Sequence, residues 1–528
     1  MLIIELNRTN YEYDVNSLVR AFYPGVNVTI LTPESTEQRR KQTQDEEKTC
    51  EAAKEQVYHW DITLADNGAK VRLLPSEGAA KTMPTEAAYR SATAQEFVWE
   101  YVAEESPQKA ENPDEDKEKQ GNLDYKHGFK RFLYGVLCEV TGRTLPWGSL
   151  IGIRPTKIAY SMLEQGSSDA EILDTFTGIY SVSQEKAALG LDIAKREREI
   201  LKDVHYEAGY SLYVGIPFCP TTCLYCSFTS YPIAAHRKQV EAYIDCLIKE
   251  MDFVAAQLAD KVVDSIYIGG GTPTTLEPEQ LDRLITALKE HFDFRTVKEF
   301  TVEAGRADSI TREKLEVLYR QGVSRISVNP QTMKQETLDI IGRRASVEQV
   351  LAAYKLAREV GFDNINMDII LGLPGELETD VQHTIDEIVA LSPDSLTVHS
   401  LAIKRASSLS KWIQENGVAT LNNTDETMRI AGEGAKRLGM APYYLYRQKN
   451  MSGNFENVGY AKPGKYGLYN ILIMEEKQTI VALGAGSITK RVWTDGRIER
   501  CDNVKDVALY IEKIDEMIQR KRELFAEQ

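Results

Sequence analysis

From Tyr210 onward the chain alternates short apolar runs with longer amphipathic ones, and this alternation restricts the folds open to it. Strands are expected at 211–216, 265–268, 299–303, 325–328, 364–370 and 395–399, with helices at 236–258, 278–292, 311–321, 347–360 and 379–391. Strands separated by helices need crossover connections, which set them parallel in one sheet. Six such units are too few to close an eight-stranded barrel, so a partial (βα)6 barrel is expected over residues 206–441. Ligand sites in parallel α/β sheets collect at the carboxyl ends of the strands, so the residues just after each run carry the chemistry.

The first of those positions holds VGIPFCPTTCLYCSFTSY, residues 214–231. Cys219, Cys223 and Cys226 stand there in a Cys-x3-Cys-x2-Cys spacing. Soft thiolates at a common point suit iron–sulfur clusters or zinc. The number three separates the two. A closed zinc site or a plain electron-transfer cluster takes four protein ligands, whereas three thiolates on a four-iron cube leave one iron open to a small molecule. A zinc ribbon wants a second Cys or His pair at similar spacing, and none follows.

The second position holds Gly269-Gly-Gly-Thr-Pro-Thr274, where glycines let the backbone approach a ligand closely, although a tight turn alone reads as well. Asp368 lies inside an apolar run, 365–371, and a carboxylate there is costly to bury unless paired, so it is a site candidate by itself. Earlier in the chain, the turn at 152–157 carries Arg154 and Lys157, either as plain turn residues or as partners for carboxylates.

Around this barrel the rest of the chain divides by composition. Residues 1–103 read as an α/β domain, with a strand at 2–6, a helix at 14–22 and a hairpin on Asp66-Asn67-Gly68. A helical patch is expected around 87–101. Residues 104–122 (from EESPQKAENPDEDKEKQ) are nearly free of apolar side chains and read as an acidic flexible linker. A helical connector, 123–205, precedes the barrel. Residues 442–528 form an α+β extension, rich in Tyr and Gly, that reads as a lid or as loops over a small β-unit before a terminal helix. The 79 acidic against 63 basic residues give a net charge of −16, which argues against nucleic acid and anionic membranes as partners. No membrane span or signal peptide is expected, and four scattered cysteines (Cys50, Cys138, Cys246, Cys501) make no disulfide framework, so the expected compartment is the cytoplasm.

The cysteine spacing with Tyr225 before its third member resembles the radical S-adenosylmethionine (SAM) enzymes. The IPFC, GGGTP and GLPGE stretches look like the oxygen-independent coproporphyrinogen III oxidase (dehydrogenase) family, in its long HemZ-type branch, over roughly residues 210–490. The resemblance implies a 4Fe-4S cluster on Cys219, Cys223 and Cys226 and a SAM site. That site would draw on Tyr213, Tyr225, Gly269, Gly270, Gly271, Thr272, Glu303, Gln331, Arg343, Asp368 and Ala402, with Arg344 a rival to its neighbour. Two local departures are the VEAGR sequence where relatives often read VE-x-[ND]-P, and Asn329-Pro330 ahead of Gln331. In that family, a deoxyadenosyl radical takes hydrogen from a propionate β-carbon and loss of carbon dioxide leaves a vinyl group, giving protoporphyrinogen IX. The implied partners are a tetrapyrrole substrate and an electron donor such as a flavodoxin or ferredoxin. The tetra-anionic substrate calls for a locally basic pocket, for which Arg154, Lys157, Lys404 and Arg405 are the candidates. Ser227-Phe228 stands where decarboxylating members carry a further cysteine, as in relatives that act as haem chaperones. A chaperone that retains cluster and SAM, or a radical enzyme of another substrate, are the alternatives.

Overall fold

The structure, a computed structural model, describes residues 1–52, 57–75, 97–102, 115–152, 154–403, 407–417, 421–448 and 451–526. It divides into two units. One comprises Met1–Ile153, Met162–Leu191 and Gln448–Asn450; the other comprises Arg154–Ser161, Asp192–Arg447 and Met451–Gln528. No helix among the described residues is long and apolar enough to cross a membrane.

The first unit is built on a five-stranded sheet of order β2-β1-β3-β4-β5. Its strands are β1 (Leu2–Leu6), β2 (Val28–Leu31), β3 (Tyr58–Ala65), β4 (Gly68–Pro75) and β5 (Phe97–Val102). β2 and β3 both run parallel to β1, and the helix Glu12–Phe22 makes the first crossover with Val15, Leu18 and Phe22 buried. Ala65 pairs with Gly68, so the hairpin expected on Asp66-Asn67-Gly68 forms with Asp66 and Asn67 as its two turn residues.

Two expectations fail in this unit. The patch around 87–101 is not helical where it is described: Phe97–Val102 pairs antiparallel with β4, Leu73 opposite Phe97. Its residues, FVWEYV, are β-branched and aromatic, and the sheet edge beside them decides the matter. The expected linker at 104–122 is also displaced. A helix, Glu115–Thr141, begins inside it, while 103–114 lie outside the described residues. That helix buries Phe129, Leu133, Val136 and Leu137 in one core with Trp60, Val71, Leu18 and Phe22. The apolar stripe was legible; that it covers the first sheet was not. Removing residues 1–120 would cut this helix and expose its stripe.

The second unit carries an open sheet of 11 strands. It contains β6 (Gly209–Ile216), β9 (Val262–Gly270), β10 (Glu299–Gly305), β11 (Arg325–Val328), β12 (Ile365–Leu371) and β13 (Ser395–Ser400), in the places expected. A short parallel pair, β7 (Phe218–Cys219) with β8 (Tyr231–Pro232), closes the cysteine loop beside β6. Residues 442–528 do not stand apart from this barrel. β14 (Ala441–Tyr446) and β15 (Asn457–Ala461) add antiparallel to β13, and β16 (Thr479–Leu483) adds parallel to β6, followed by β17 (Ile488–Val492) and β18 (Ile498–Asp502). The apolar run of β16 is buried, as a strand covered on both faces must be. The expected single terminal helix is two, Val507–Glu512 and Ile514–Ala526.

The parallel strands depart from the usual all-apolar pattern of such sheets. On one parity lie Leu212, Val214, Ile216, Ile266, Ile268, Phe300, Val302, Ile326, Val328, Met367, Ile369, Leu396 and Val398, all members of one core. The other parity is mostly polar, aromatic or glycine, Ile370 of β12 excepted, and several of its residues bond to one another across the strands. Ser265 Oγ lies 2.8 Å from Ser211 Oγ, Arg325 Nη2 donates to Ser395 Oγ at 2.9 Å, and Ser395 Oγ donates to Asn366 Oδ1 at 3.0 Å. Tyr213, Tyr267 and Tyr469 stack, with ring centroids 4.5–6.2 Å apart. Tyr469 comes from the helix Leu468–Glu475, whose first N–H groups donate to the Glu299 carboxylate at the amino end of β10. The inner face is thus largely polar, and the helix Leu468–Glu475 is bonded to it at its amino end.

Candidate functional site

The glycine-rich loop after β9 is laced to the cysteine loop after β6. Gly271 N–H donates to Ile216 O at 2.8 Å and Thr272 N–H to Phe218 O at 2.7 Å, while Thr272 Oγ1 lies 3.4 Å from Cys219 Sγ. Gly270 adopts φ +111, a conformation that side chains disfavour. At Gly271 a Cβ would meet Phe218 O at 2.6 Å and Cys219 Sγ at 3.0 Å, so only glycine fits against the sulfur. Cys219 and Cys223 are buried and Cys226 is partly exposed, with Cys226 N–H donating to Cys223 O at 3.1 Å. Burial pushes the Cys219 thiol up to about 11 despite the Thr272 hydroxyl, so binding metal there must release a proton.

The remaining expected residues also lie at or near the carboxyl ends of β10 to β13. Glu303 accepts from the Tyr267 hydroxyl and closes on Gly269, whose Cβ would stand 3.0 Å from the carboxyl. Burial pushes its carboxyl up to about 7, with the Tyr267 bond opposing and Asp368 adding to the rise. At Asp368, burial works against the charge, but bonds from His399, Asn366 and Thr397 outweigh it and hold the group below its ordinary range. Gln331 has φ +68 and bridges β12, its N–H donating to Asp368 O and its carbonyl accepting from Ile370 N–H, both at 2.9 Å. Past the Asn329-Pro330 pair, Gln331 thus makes an isolated parallel bridge to Ile369 beyond the end of β11. Arg343 is buried and donates to Asn329 O, with Tyr225 and Cys223 beside it, whereas Arg344 is exposed. Tyr213 lies deeper, in the stack of tyrosines, and Ala402 bridges Met451 just past β13.

Of the expected substrate cations, Arg154 and Lys157 are described, and both are held by an internal carboxylate. Arg154 and Lys157 contact Glu476 at 3.1 and 3.5 Å, and Lys490 and Arg500 reach the same carboxylate at 3.1 and 3.4 Å. Burial opposes ionisation of Glu476, but Arg154 and Lys490 prevail and hold it down to about 2. Glu476 precedes β16, whose first residue, Thr479, pairs with Tyr210 at the start of β6. The cysteines follow the other end of β6, an eight-residue strand that spans roughly 25 Å. Arg154 and Lys157 thus hold the amino end of the barrel and are not at its reactive face. Lys404 and Arg405 lie outside the described residues.

Three residues at this face were passed over in the sequence. Tyr267 and His399 belong to the inner parity of β9 and β13, and a count of alternate residues along each strand would have found them. His399 lies 3.9 Å from Asp368, and the Tyr446 hydroxyl is 3.3 Å from its Nδ1. Arg306, the odd residue in VEAGR, is buried with Nη1 2.9 Å from Thr221 O and 3.6 Å from Cys223 Sγ.

Comparison with known proteins agrees with this geometry. Residues 213–388 match the Radical SAM superfamily. The chain is 40% identical over 409 residues to the oxygen-independent coproporphyrinogen-III oxidase-like protein HemZ of Bacillus subtilis, covering 76% of this chain and 82% of that relative. This chain belongs to the HemZ family of radical SAM proteins. This chain has shorter likenesses elsewhere. Here the heme chaperone HemW of Bacillus subtilis is 37% identical over 198 residues, 37% of this chain and 51% of that one. The oxygen-independent coproporphyrinogen III oxidase of Salmonella typhimurium is 33% identical over 196 residues, 37% of this chain and 42% of that one.

Membership of the superfamily implies a 4Fe-4S cluster and SAM, and the residues present fit both. Gln331 Oε1, Asn329 Oδ1 and Arg343 Nε are buried without a hydrogen-bond partner, an arrangement that a polar ligand resolves. Among the described residues no three His, Cys, Asp or Glu side chains converge on a single ion, and a cube does not require it, because each thiolate binds a different iron.

The raised Glu303 carboxyl gives a test on the cofactor-free protein. Its folded-state value of about 7 exceeds the ordinary 4.5, so the folded state holds the extra proton between them. This stabilisation is complete below 4.5 and is lost as pH rises through 7. E303Q is therefore expected to gain in melting temperature over wild type between pH 5 and pH 8. A difference independent of pH contradicts the assignment.

Proposed function

We propose that this protein catalyses the anaerobic, SAM-dependent conversion of coproporphyrinogen III to protoporphyrinogen IX. The observation that carries the reading is the likeness to HemZ across 82% of that relative's length. The polar residues that β10 to β13 carry towards the end of the sheet with the cysteine loop, Glu303, Asp368 and His399 among them, support it.

In this reading Cys219, Cys223 and Cys226 hold the cluster. The loop from Gly269 to Thr272 offers backbone groups to the SAM amino group, and Arg343 meets the SAM carboxylate as a fork. Glu303 and Asp368 take the ribose hydroxyls or the ammonium, while Gln331, Tyr213, Tyr225 and Ala402 line the adenosyl side. Together the bound cofactors supply a 5′-deoxyadenosyl group able to abstract hydrogen. Turning each of two propionates into a vinyl group breaks one C–H and one C–C bond with release of carbon dioxide; the cofactors would supply the hydrogen-abstracting group, and a one-electron acceptor would take the remaining electron. Lys404 and Arg405 follow Ala402 after a single residue, Ile403, and are the cations proposed for the propionates. An electron donor of the flavodoxin or ferredoxin class would reduce the cluster.

One observation favours a second reading. Ser227-Phe228 follows the third cysteine, and HemW, a heme chaperone, is among the relatives. Anaerobic incubation with coproporphyrinogen III, SAM and a strong reductant, followed by mass spectrometry, decides between them. The proposal expects a product lighter by two carbon dioxide and four hydrogen units. Stoichiometric haem binding with the porphyrinogen untouched overturns it.

A further inference from the structure

We propose that Arg306 is a positioning residue for the iron–sulfur site, one that ties the cysteine loop to the end of β10 and sets the cluster's reduction potential through a fixed positive charge on Cys223. Arg306 is only 4% exposed. Its Nη1 donates to Thr221 O and Thr221 Oγ1, both at 2.9 Å, and lies 3.6 Å from Cys223 Sγ. Its Nε and Nη2 grip the Asp308 carboxylate at 3.0 and 2.7 Å. The guanidinium thus faces the cysteine loop on one side and is oriented by a carboxylate on the other, a use for which its rigid fork suits it better than lysine.

These contacts engage the donors of Arg306, which sets it apart from Arg343, whose Nε is free for a ligand. A cube on three thiolates becomes more negative when reduced. A buried positive charge and an N–H pointing at a ligand sulfur stabilise the reduced form more than the oxidised one and raise the potential. Asp308 orients the guanidinium but also offsets part of its charge. Removing each partner should therefore move the potential in opposite directions.

This inference rests on the cluster assignment and is independent of the substrate. The test uses full-length protein reconstituted anaerobically with iron and sulfide, in wild-type, R306Q, R306K and D308N forms. Iron content is measured first, then the cluster potential by titration followed with electron paramagnetic resonance. The expected results are a more negative potential in R306Q, a more positive one in D308N, and a value for R306K between those of R306Q and wild type. Should R306Q fail to take up iron, D308N and R306K still decide. A D308N potential at or below wild type overturns the proposal, as does an R306Q cluster with unchanged potential. Wild-type protein that takes up no cluster fails earlier, at the cofactor assignment, and removes the proposal with it.

Discussion

Replacing Cys219, Cys223 and Cys226 together with alanine is expected to strip the protein of its iron, from about four per chain after anaerobic reconstitution to background. The effect is near total because three thiolates are all that the chain offers to the cube. The other four cysteines, Cys50, Cys138, Cys246 and Cys501, are scattered along the chain outside this loop. Iron measured by colorimetric assay, together with loss of the brown absorbance, checks the result. The fold itself should survive, because strand pairing and the bonds from Gly271 and Thr272 to the backbone of Ile216 and Phe218 do not involve the sulfurs. Iron retained in the triple variant would mean that the cluster is held elsewhere.

The largest loss of stability is expected from Lys521→Met. Lys521 and Glu250 are both fully buried, with Nζ 2.7 Å from Oε1. The same carboxylate accepts from Gly484 N–H at 2.8 Å, Asn503 Nδ2 at 2.9 Å and the Tyr510 hydroxyl. It thereby joins the helix Val240–Gln257 to the turn after β16 and to both terminal helices. Removing the lysine alone leaves a buried charge without its partner, at a cost of about 3–5 kcal/mol. Chemical denaturation of the iron-free protein measures it. The double variant E250Q/K521M should recover much of the loss, since the charge goes with its partner. A K521M variant as stable as wild type would show that the carboxylate needs no counter-charge.

How far the sequence reveals this protein depends on which physical signal each feature leaves. The six central strands were legible because apolar runs bounded by turn residues repeat, and the loops after them were legible because cysteine and glycine are chemically specific. Arg343 and Arg344 could not be separated by type; burial separates them, Arg343 inside and Arg344 in solvent. Arg154 and Lys157 were misread because proximity in sequence to the first strand does not say which end of it a turn approaches. Their partner, Glu476, lies more than three hundred residues on, and no local pattern couples them. A similar separation along the chain hid the place of β16 beside β6. Arg306 was visible only as a departure from the family's usual residues, and its contact with the cysteine loop depends on the end of β10 meeting it.

The most direct measurement of the central claim is the formation of 5′-deoxyadenosine. Reconstituted wild-type protein, given SAM and a strong one-electron reductant without oxygen, should release 5′-deoxyadenosine and methionine. The triple cysteine variant should release neither. Chromatographic detection of 5′-deoxyadenosine from the wild type alone is the result predicted by a radical SAM site on Cys219, Cys223 and Cys226. Its absence from wild-type protein carrying a full, reducible cluster would contradict that site.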